Sequence, residues 1–374
     1  MSQQKPRVRV AVVFGGRSGE HAISCATAAA VLRELDRDRY DVIPVGITTA
    51  GRWVLLPDQP EQLEGGTAQV DTLVTSNSSV VVPIEGAPRV KLVELESRQT
   101  PRELGQVDVV FPLLHGPFGE DGTIQGMFEM ADVRYVGSGV LASAVGMDKH
   151  FTKIALEAAG LPVGPYTVIT DRRWRTDADA ALAEAQQLEY PLFVKPARAG
   201  SSLGITRVTR AQDLPAAIEE ARRHDPKVIV EQGIAGREVE CGVLQGHHGA
   251  APRTSPLGEI VMHSQRAEFY DWQTKYFDTE GFTMACPADL PPEQVARVQE
   301  LAARAFEALE CEGLARVDFF VTPDGQPVIN EINTMPGFTP YSMFPVMWQA
   351  AGMNYSQLLD DLIQLALERP LGLR

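Results

Sequence analysis

Short apolar runs closed by glycine- and proline-rich turns alternate with helically periodic segments along most of this chain. Arg9 to Phe14 is strand-like and runs through Gly15-Gly16-Arg17-Ser18-Gly19-Glu20 into an alanine-rich helix ending near Leu35, and Tyr40 to Ile47 is a second strand. A less regular stretch containing Gly65-Gly66 and Ser76 to Ser79 follows. Val107 to Leu114 reads as a buried parallel strand ending in His115-Gly116-Pro117-Phe118-Gly119-Glu120-Asp121-Gly122, and another strand-turn signal spans Arg134 to Gly139. Helices are predicted over Met147 to Ala159, closed by Gly160-Leu161-Pro162, and over Asp177 to Gln187. Pro191 to Lys195, Val228 to Glu231 and Val239 to Leu244 are strands. Glu293 to Glu310 places Val295, Val298, Leu301, Ala302, Ala305, Phe306 and Leu309 on one helical stripe. The segment from His263 to Ala285 has neither period. It is too long for an ordinary connection, which leaves a functional lid or a mobile surface segment.

The most informative pair of strands is Ala315 to Val321 and Pro327 to Asn333, separated by Thr-Pro-Asp-Gly-Gln. A two-residue turn at Asp324-Gly325 sets Asp318 across from Glu331 and Arg316 across from Asn333. The same register pairs Val317 with Ile332, Phe319 with Asn330 and Val321 with Val328 on an apolar face. Like charges directly across a ladder destabilise it. Two readings remain open here: a solvated acidic hairpin, or a hard cation such as Mg2+ between the carboxylates with the Asn333 amide oxygen as a third ligand.

The length of 374 residues allows two or three domains rather than one small binding module. With 34 basic against 49 acidic side chains the net charge is −15, which disfavours nonspecific attraction to nucleic acid or an anionic membrane. No run of apolar residues is long enough for a membrane span, so the expectation is a cytoplasmic protein. The 4 cysteines, Cys25, Cys241, Cys286 and Cys311, lack C-x-x-C spacing and are expected as buried free thiols. No internal repeat or low-complexity tract occurs.

Phe193-Val194-Lys195 leads into Pro196-Ala197-Arg198-Ala199-Gly200-Ser201-Ser202-Leu203-Gly204 and then another strand-like run to Val208. Small residues let backbone N–H groups approach phosphate oxygens, and Lys195 supplies a compact cation. It is not a Walker A loop, because its lysine precedes the glycines and the loop returns into a strand. An ordinary strand connection is the other reading. The Gly15-Gly16 turn does not match G-x-G-x-x-G, and Asp36 precedes the second strand, so a dinucleotide fold and an NAD-dependent oxidoreductase are rejected. Glu20 beside that turn either stabilises the helix dipole or pairs with a substrate ammonium.

Taken in order, Gly15 to His21, Leu114 to Gly122, Lys195 to Gly204, Lys275-Tyr276 and Glu331 to Gly337 resemble D-alanine–D-alanine ligase over nearly the full chain. The resemblance implies an α/β, three-domain ATP-grasp fold with an N-terminal parallel-sheet domain. The expected divisions are residues 1–138 on the substrate side, 139–234 as the central unit, and 235–374 carrying the hairpin and the lid loop 263–285. ATP would lie between the second and third units. By the same resemblance, Lys149, Lys195 and Lys275 with Ser202 contact ATP phosphates, Glu231 meets the adenine amino group, and Glu238 holds the ribose. Asp318, Glu331 and Asn333 would hold two Mg2+ or Mn2+ ions. Glu20 would bind the first D-alanine's ammonium, oriented through Ser201 and Tyr276. His115 is placed near that substrate's carboxylate, Ser342 with Lys275 near the second's, and Arg316 with the Gly337 N–H as the oxyanion hole.

The implied activity is ATP-dependent joining of two D-alanine molecules through a D-alanyl phosphate, for peptidoglycan precursors, by a cytoplasmic homodimer with no nucleic-acid or membrane partner. A carboxylate is a poor electrophile, so phosphorylation must precede attack by the second amine; positioning and electrostatics carry such a transfer. Ala22 departs from the acidic residue that many relatives carry after Glu20-His21. Tyr276 favours the dipeptide over a D-lactate ester. The competing readings are a ligase taking D-lactate or D-serine second, and a catalytically silent nucleotide-binding regulator, against which the set Lys195, Arg316, Asp318, Glu331 and Asn333 speaks.

Overall fold

A computed structural model describes residues 6–63, 70–74, 79–81, 90–95, 102–262 and 282–371. The first sheet runs in the order Trp53–Leu55, Tyr40–Ile47, Val8–Gly15, Val109–Pro112, with Val8–Gly15 parallel to both of its neighbours. Val10 to Phe14 is apolar at every position for a reason. Val10, Val12 and Phe14 enter one buried cluster while Ala11 and Val13 enter another, so both faces are covered. One covering element is the carboxy-terminal helix Tyr355–Glu368, whose Leu358, Leu359, Leu362 and Ile363 pack into the cluster that holds Val10 and Phe14. The chain thus returns to its own beginning, and Arg369 fastens the return by donating to the carbonyl of Gly137 at 2.9 Å.

The expected strand Val107 to Leu114 divides at Asp108. Arg102–Val107 joins Val90–Leu95 and Ser79–Val81 in a small antiparallel sheet, and Val109–Pro112 joins the parallel one. Asp108 causes the division: its carboxylate accepts from the Arg9 N–H at 2.9 Å while its own N–H reaches the Arg9 carbonyl at 3.0 Å. The Arg134 to Gly139 signal contributes a single bridge between Tyr135 and Val110.

A second sheet, entirely antiparallel, has the order Thr206–Val208, Leu192–Pro196, Val228–Gln232, Tyr166–Ile169. Helices Ala178–Ala185 and Leu214–Arg222 cover it, Asp177 capping the first by accepting from the Ala180 N–H. The third sheet, also antiparallel, has the order Phe282–Ala285, Arg253–Met262, Arg237–Leu244, Leu314–Val321, Pro327–Asn333. Alternation decides its faces. Val239, Cys241, Val317, Phe319 and Val321 pack under the helix Pro292–Ala308, against Val298, Leu301, Ala302, Ala305 and Phe306.

The hairpin departs from expectation at its tip. Thr322 N–H bonds the Gln326 carbonyl at 3.0 Å and Gly325 adopts φ +81°, which makes a three-residue loop and not a two-residue Asp-Gly turn. Val321 therefore pairs with Pro327 and Phe319 with Ile329, correcting the expected partners Val328 and Asn330. A bulge at Asn330 then restores the register, so Asp318 faces Glu331 and Arg316 faces Asn333 after all.

The helix expected over Met147 to Ala159 is two helices, Val140–Met147 and Lys149–Ala158. Asp148 is extended between them (φ −96°, ψ 100°), and its carboxylate accepts from the N–H groups of His150 and Phe151. The local capping bond outcompetes helix continuation at this aspartate. No helix among the described residues is long and apolar enough to cross a membrane.

Candidate active site

Where the parallel sheet's loops meet the two antiparallel sheets lies a cleft of about 320 Å³. The break at Asp148 turns the next helix so that Lys149 and Lys153, one turn apart, both line it. Lys149 Nζ donates to the Ala199 carbonyl at 2.7 Å, on the glycine-serine loop that leaves strand Leu192–Pro196. Lys195, at the end of that strand, pairs with Glu231 on the neighbouring strand, and Lys153 Nζ approaches the other Glu231 oxygen at 3.1 Å. Burial alone would raise the Glu231 carboxyl, yet Lys195 and Lys153 pull it down to about 2. Burial pushes the Lys149 ammonium down, so this group is ready to gain from an arriving anion.

On the same loop Ser201 and Ser202 hold left-handed backbone (φ +49° and +57°), and the Ser201 hydroxyl donates to the Glu20 carboxylate. Loop 15–20 is joined to loop 115–122 by the Ser18 hydroxyl, which donates to the His115 carbonyl at 2.7 Å. His115 is buried, and its Nε2 has no hydrogen-bond partner among the described residues. Burial lowers its pKa, which keeps the ring neutral.

The hairpin supplies the opposite wall. Arg316 donates to Asp318 at 2.7 and 2.6 Å and lies 3.2 Å from Glu240, the residue facing Asp318 on strand Arg237–Leu244. Asn333 gives its amide nitrogen to Asp318 at 3.0 Å, which leaves its oxygen for another partner. Burial, together with Glu240 and Glu331, drives the Asp318 carboxyl up to about 7 even against the pull of Arg316. The pocket is short of positive charge. Among the described residues no three His, Cys, Asp or Glu side chains gather as a metal set; the donors here are two carboxylates and an amide, all oxygen, which suits a hard cation.

Of the expected site residues, Glu20, His115, Lys149, Lys195, Ser201, Ser202, Glu231, Glu238, Arg316, Asp318, Glu331, Asn333 and Gly337 line this one cleft. Ser342 does not. It precedes helix Met343–Ala350, and its hydroxyl engages the Thr339 N–H and hydroxyl at 3.1 and 2.8 Å. Lys275 and Tyr276 lie outside the described residues, as does most of the expected lid. Sequence reasoning missed Lys153, Glu240 and Glu120. Two were one period from a residue already chosen, four past Lys149 on a helix and two past Glu238 on a strand, and Glu120 lies inside the loop that ends in Gly122.

Two family models match the chain, the D-ala D-ala ligase N-terminus over residues 9–138 and the D-ala D-ala ligase C-terminus over residues 155–364. The D-alanine–D-alanine ligase of Pseudarthrobacter chlorophenolicus is 55% identical, covering 99% of this chain and 97% of that protein. That of an Arthrobacter species is 56% identical over 98% and 96%. Among solved structures, the VanG D-Ala:D-Ser ligase from Enterococcus faecalis superimposes with a TM-score of 0.83 at 38% identity, covering 96% of this chain and 100% of that one. The D-alanine-D-alanine ligase from Coxiella burnetii gives 0.80 at 35% identity, over 97% and 94%.

Proposed function

The chain belongs to the D-alanine–D-alanine ligase family of ATP-grasp enzymes, and from that premise we propose that its cleft joins two D-alanine molecules into D-alanyl-D-alanine, converting ATP to ADP and phosphate, for peptidoglycan precursor synthesis. The observation that carries the reading is the gathering, in one cleft, of cationic Lys149 and Lys195, the Glu20–Ser201 pair and the Arg316 hairpin.

In this reading Lys149 and Lys195, with Ser202 and the loop's backbone N–H groups, hold the ATP phosphates. Glu238 meets the ribose and Glu231 the adenine amino group. The two buried ion pairs of Glu231 add a second task for it, since it keeps Lys195 charged and extended at the phosphates. Glu20, held by Ser201, receives the ammonium of the first D-alanine, and His115 stands near that substrate's carboxylate. Asp318, Glu331 and Asn333 would hold two Mg2+ or Mn2+ ions. When bound, these ions would neutralise charge on the phosphoryl oxygens. They would also satisfy the charge deficit that raises Asp318.

The carboxylate oxygen of the first D-alanine attacks the γ-phosphorus and ADP leaves. The amine of the second D-alanine then attacks the acyl carbon, Arg316 and the Gly337 N–H stabilise the oxyanion, and phosphate leaves with the original carboxylate oxygen. In this reading Lys275 serves the second D-alanine's carboxylate, and Tyr276 acts with Ser201 in orienting Glu20. The division into 1–138, 139–234 and 235–374 is supported by the three larger sheets, with the helix Tyr355–Glu368 of the third unit returning to cover the sheet of the first. Cytoplasmic location and a homodimer complete the reading.

The test is ADP release with Mg2+ on adding D-alanine, L-alanine, D-serine or D-lactate. D-alanine alone should sustain turnover with a single added amino acid. Equal rates with L-alanine overturn the substrate assignment, and product formed only when D-serine accompanies D-alanine would move the second site to D-serine.

A further inference from the structure

We propose that Glu120 is a positioning residue for the ligation step, holding the Met335–Gly337 segment against loop 115–122 so that the Gly337 N–H faces the reacting acyl group. The proposal rests on the ligase reading above, and it concerns a residue that the substrate and nucleotide assignments leave unused.

Glu120 lines the cleft, and its Oε2 accepts the Gly116 N–H at 2.7 Å. The backbone N–H of Met335 also donates to this carboxyl. On the other side of the same residue, the His115 ring donates to the Met335 backbone. The Met335 peptide is thereby gripped from two ends by one loop. Two residues further on lies Gly337, also on the cleft wall. Loop 115–122 is itself rigid. Gly119 and Glu120 N–H groups both return to the Gly116 carbonyl, at 3.1 and 2.9 Å, and Asp121 accepts from the Phe118 and Thr123 N–H groups at 2.8 and 3.0 Å. A loop so braced, holding the Thr-Met-Pro-Gly segment by the Met335 peptide group, fixes where the Gly337 N–H points.

Gly116 links this device to the first substrate. A Cβ there would lie 2.3 Å from Glu20 Oε2, so the peptide that bonds Glu120 also packs against the carboxylate that receives the ammonium. Glu20 and Glu120 thus flank one peptide, and the shift of Glu120 up to about 8 by burial and by the charge of Glu20 follows from that closeness. Filling the site with an ammonium ion supports the Glu120 carboxylate, and with it the grip on Met335.

Positioning errors of about 1 Å cost on the order of a hundredfold in rate. Glu120→Ala should lower kcat for dipeptide synthesis by about tenfold to a hundredfold while the ATP affinity stays at the wild-type value. The distinguishing readout is coupling: acyl phosphate still forms but is captured slowly, so water competes and ADP released per dipeptide rises above unity. Glu120→Gln retains the shape and one acceptor oxygen and should fall between. Wild-type turnover with D-alanine is measured first, so failure of the ligase reading is seen separately. Wild-type coupling and kcat in both variants overturn the proposal. So does a parallel loss of ATP binding and melting temperature in Glu120→Gln with coupling preserved, which would make the residue structural only.

Discussion

Asp318 receives two N–H···O bonds from Arg316, 2.7 and 2.6 Å long, although the residues stand two positions apart on one strand. Side chains at i and i+2 share a strand face, so the pair lies flat on the wall opposite Glu331. One guanidinium serves Asp318 and Glu240, with Glu331 nearby. A divalent ion at the carboxylates would release Arg316 toward the acyl oxygen. Glu331→Gln should keep the melting temperature near the wild-type value and reduce turnover at saturating Mg2+ by orders of magnitude. Near-normal turnover would contradict the metal assignment.

Glu231 lies between Lys153 and Lys195, and its pKa falls from the ordinary 4.5 to about 2. A carboxyl depressed on folding stabilises the folded state above its unfolded pKa, and that support is lost as pH falls from about 4.5 toward 2. Lys153→Met removes one of the two cations. It should cost on the order of 1–3 kcal/mol, shrink the acid loss and end it at a higher pH, and weaken ATP binding. Urea denaturation across the carboxylate pH range checks this, and an unchanged stability profile would refute it.

Gly116 has φ +70° and leaves no room for a Cβ beside Glu20. Gly116→Ala should therefore cost about 1–3 kcal/mol in backbone strain, and it should raise the KM for D-alanine while the ATP affinity is kept. Calorimetry and steady-state kinetics separate the two effects. An unaltered KM would remove Glu20 from the ammonium site.

Burial pushes the thiols of Cys25, Cys241 and Cys311 up to about 12, so none carries thiolate at neutral pH. Cys286 is only half-buried beside the outer strand Phe282–Ala285. Brief alkylation of the native protein should label Cys286 first and leave the other three unlabelled until denaturant is added. Mass mapping of the peptides decides it, and early labelling of Cys241 would contradict the packing of the third sheet.

Strands in the sequence were legible because each apolar run is short, bounded by turn residues and buried on the face its period names. The hairpin shows the limit of such reading. Its functional register was anticipated through a two-residue turn, whereas the chain uses a three-residue loop plus a bulge at Asn330, and the two offsets cancel at Asp318 and Glu331. Thr322 explains the loop, since its hydroxyl accepts the Gln326 N–H at 3.0 Å and stabilises the longer turn. Asp148 likewise reads as an ordinary helical residue until its capping bonds are seen. The helix Tyr355–Glu368 went unread, and no local period could say that its partner is the first strand of the chain. Lys153 and Glu240 escaped because a buried charge is recognised by its partners, which only the fold brings close.

The most direct test of an acylphosphate formed in this cleft follows the carboxylate oxygens of D-alanine. With both of them labelled as ¹⁸O, wild-type protein, Mg2+ and unlabelled ATP should give inorganic phosphate carrying one ¹⁸O atom for every dipeptide formed. Unlabelled phosphate accompanying dipeptide synthesis would contradict the account.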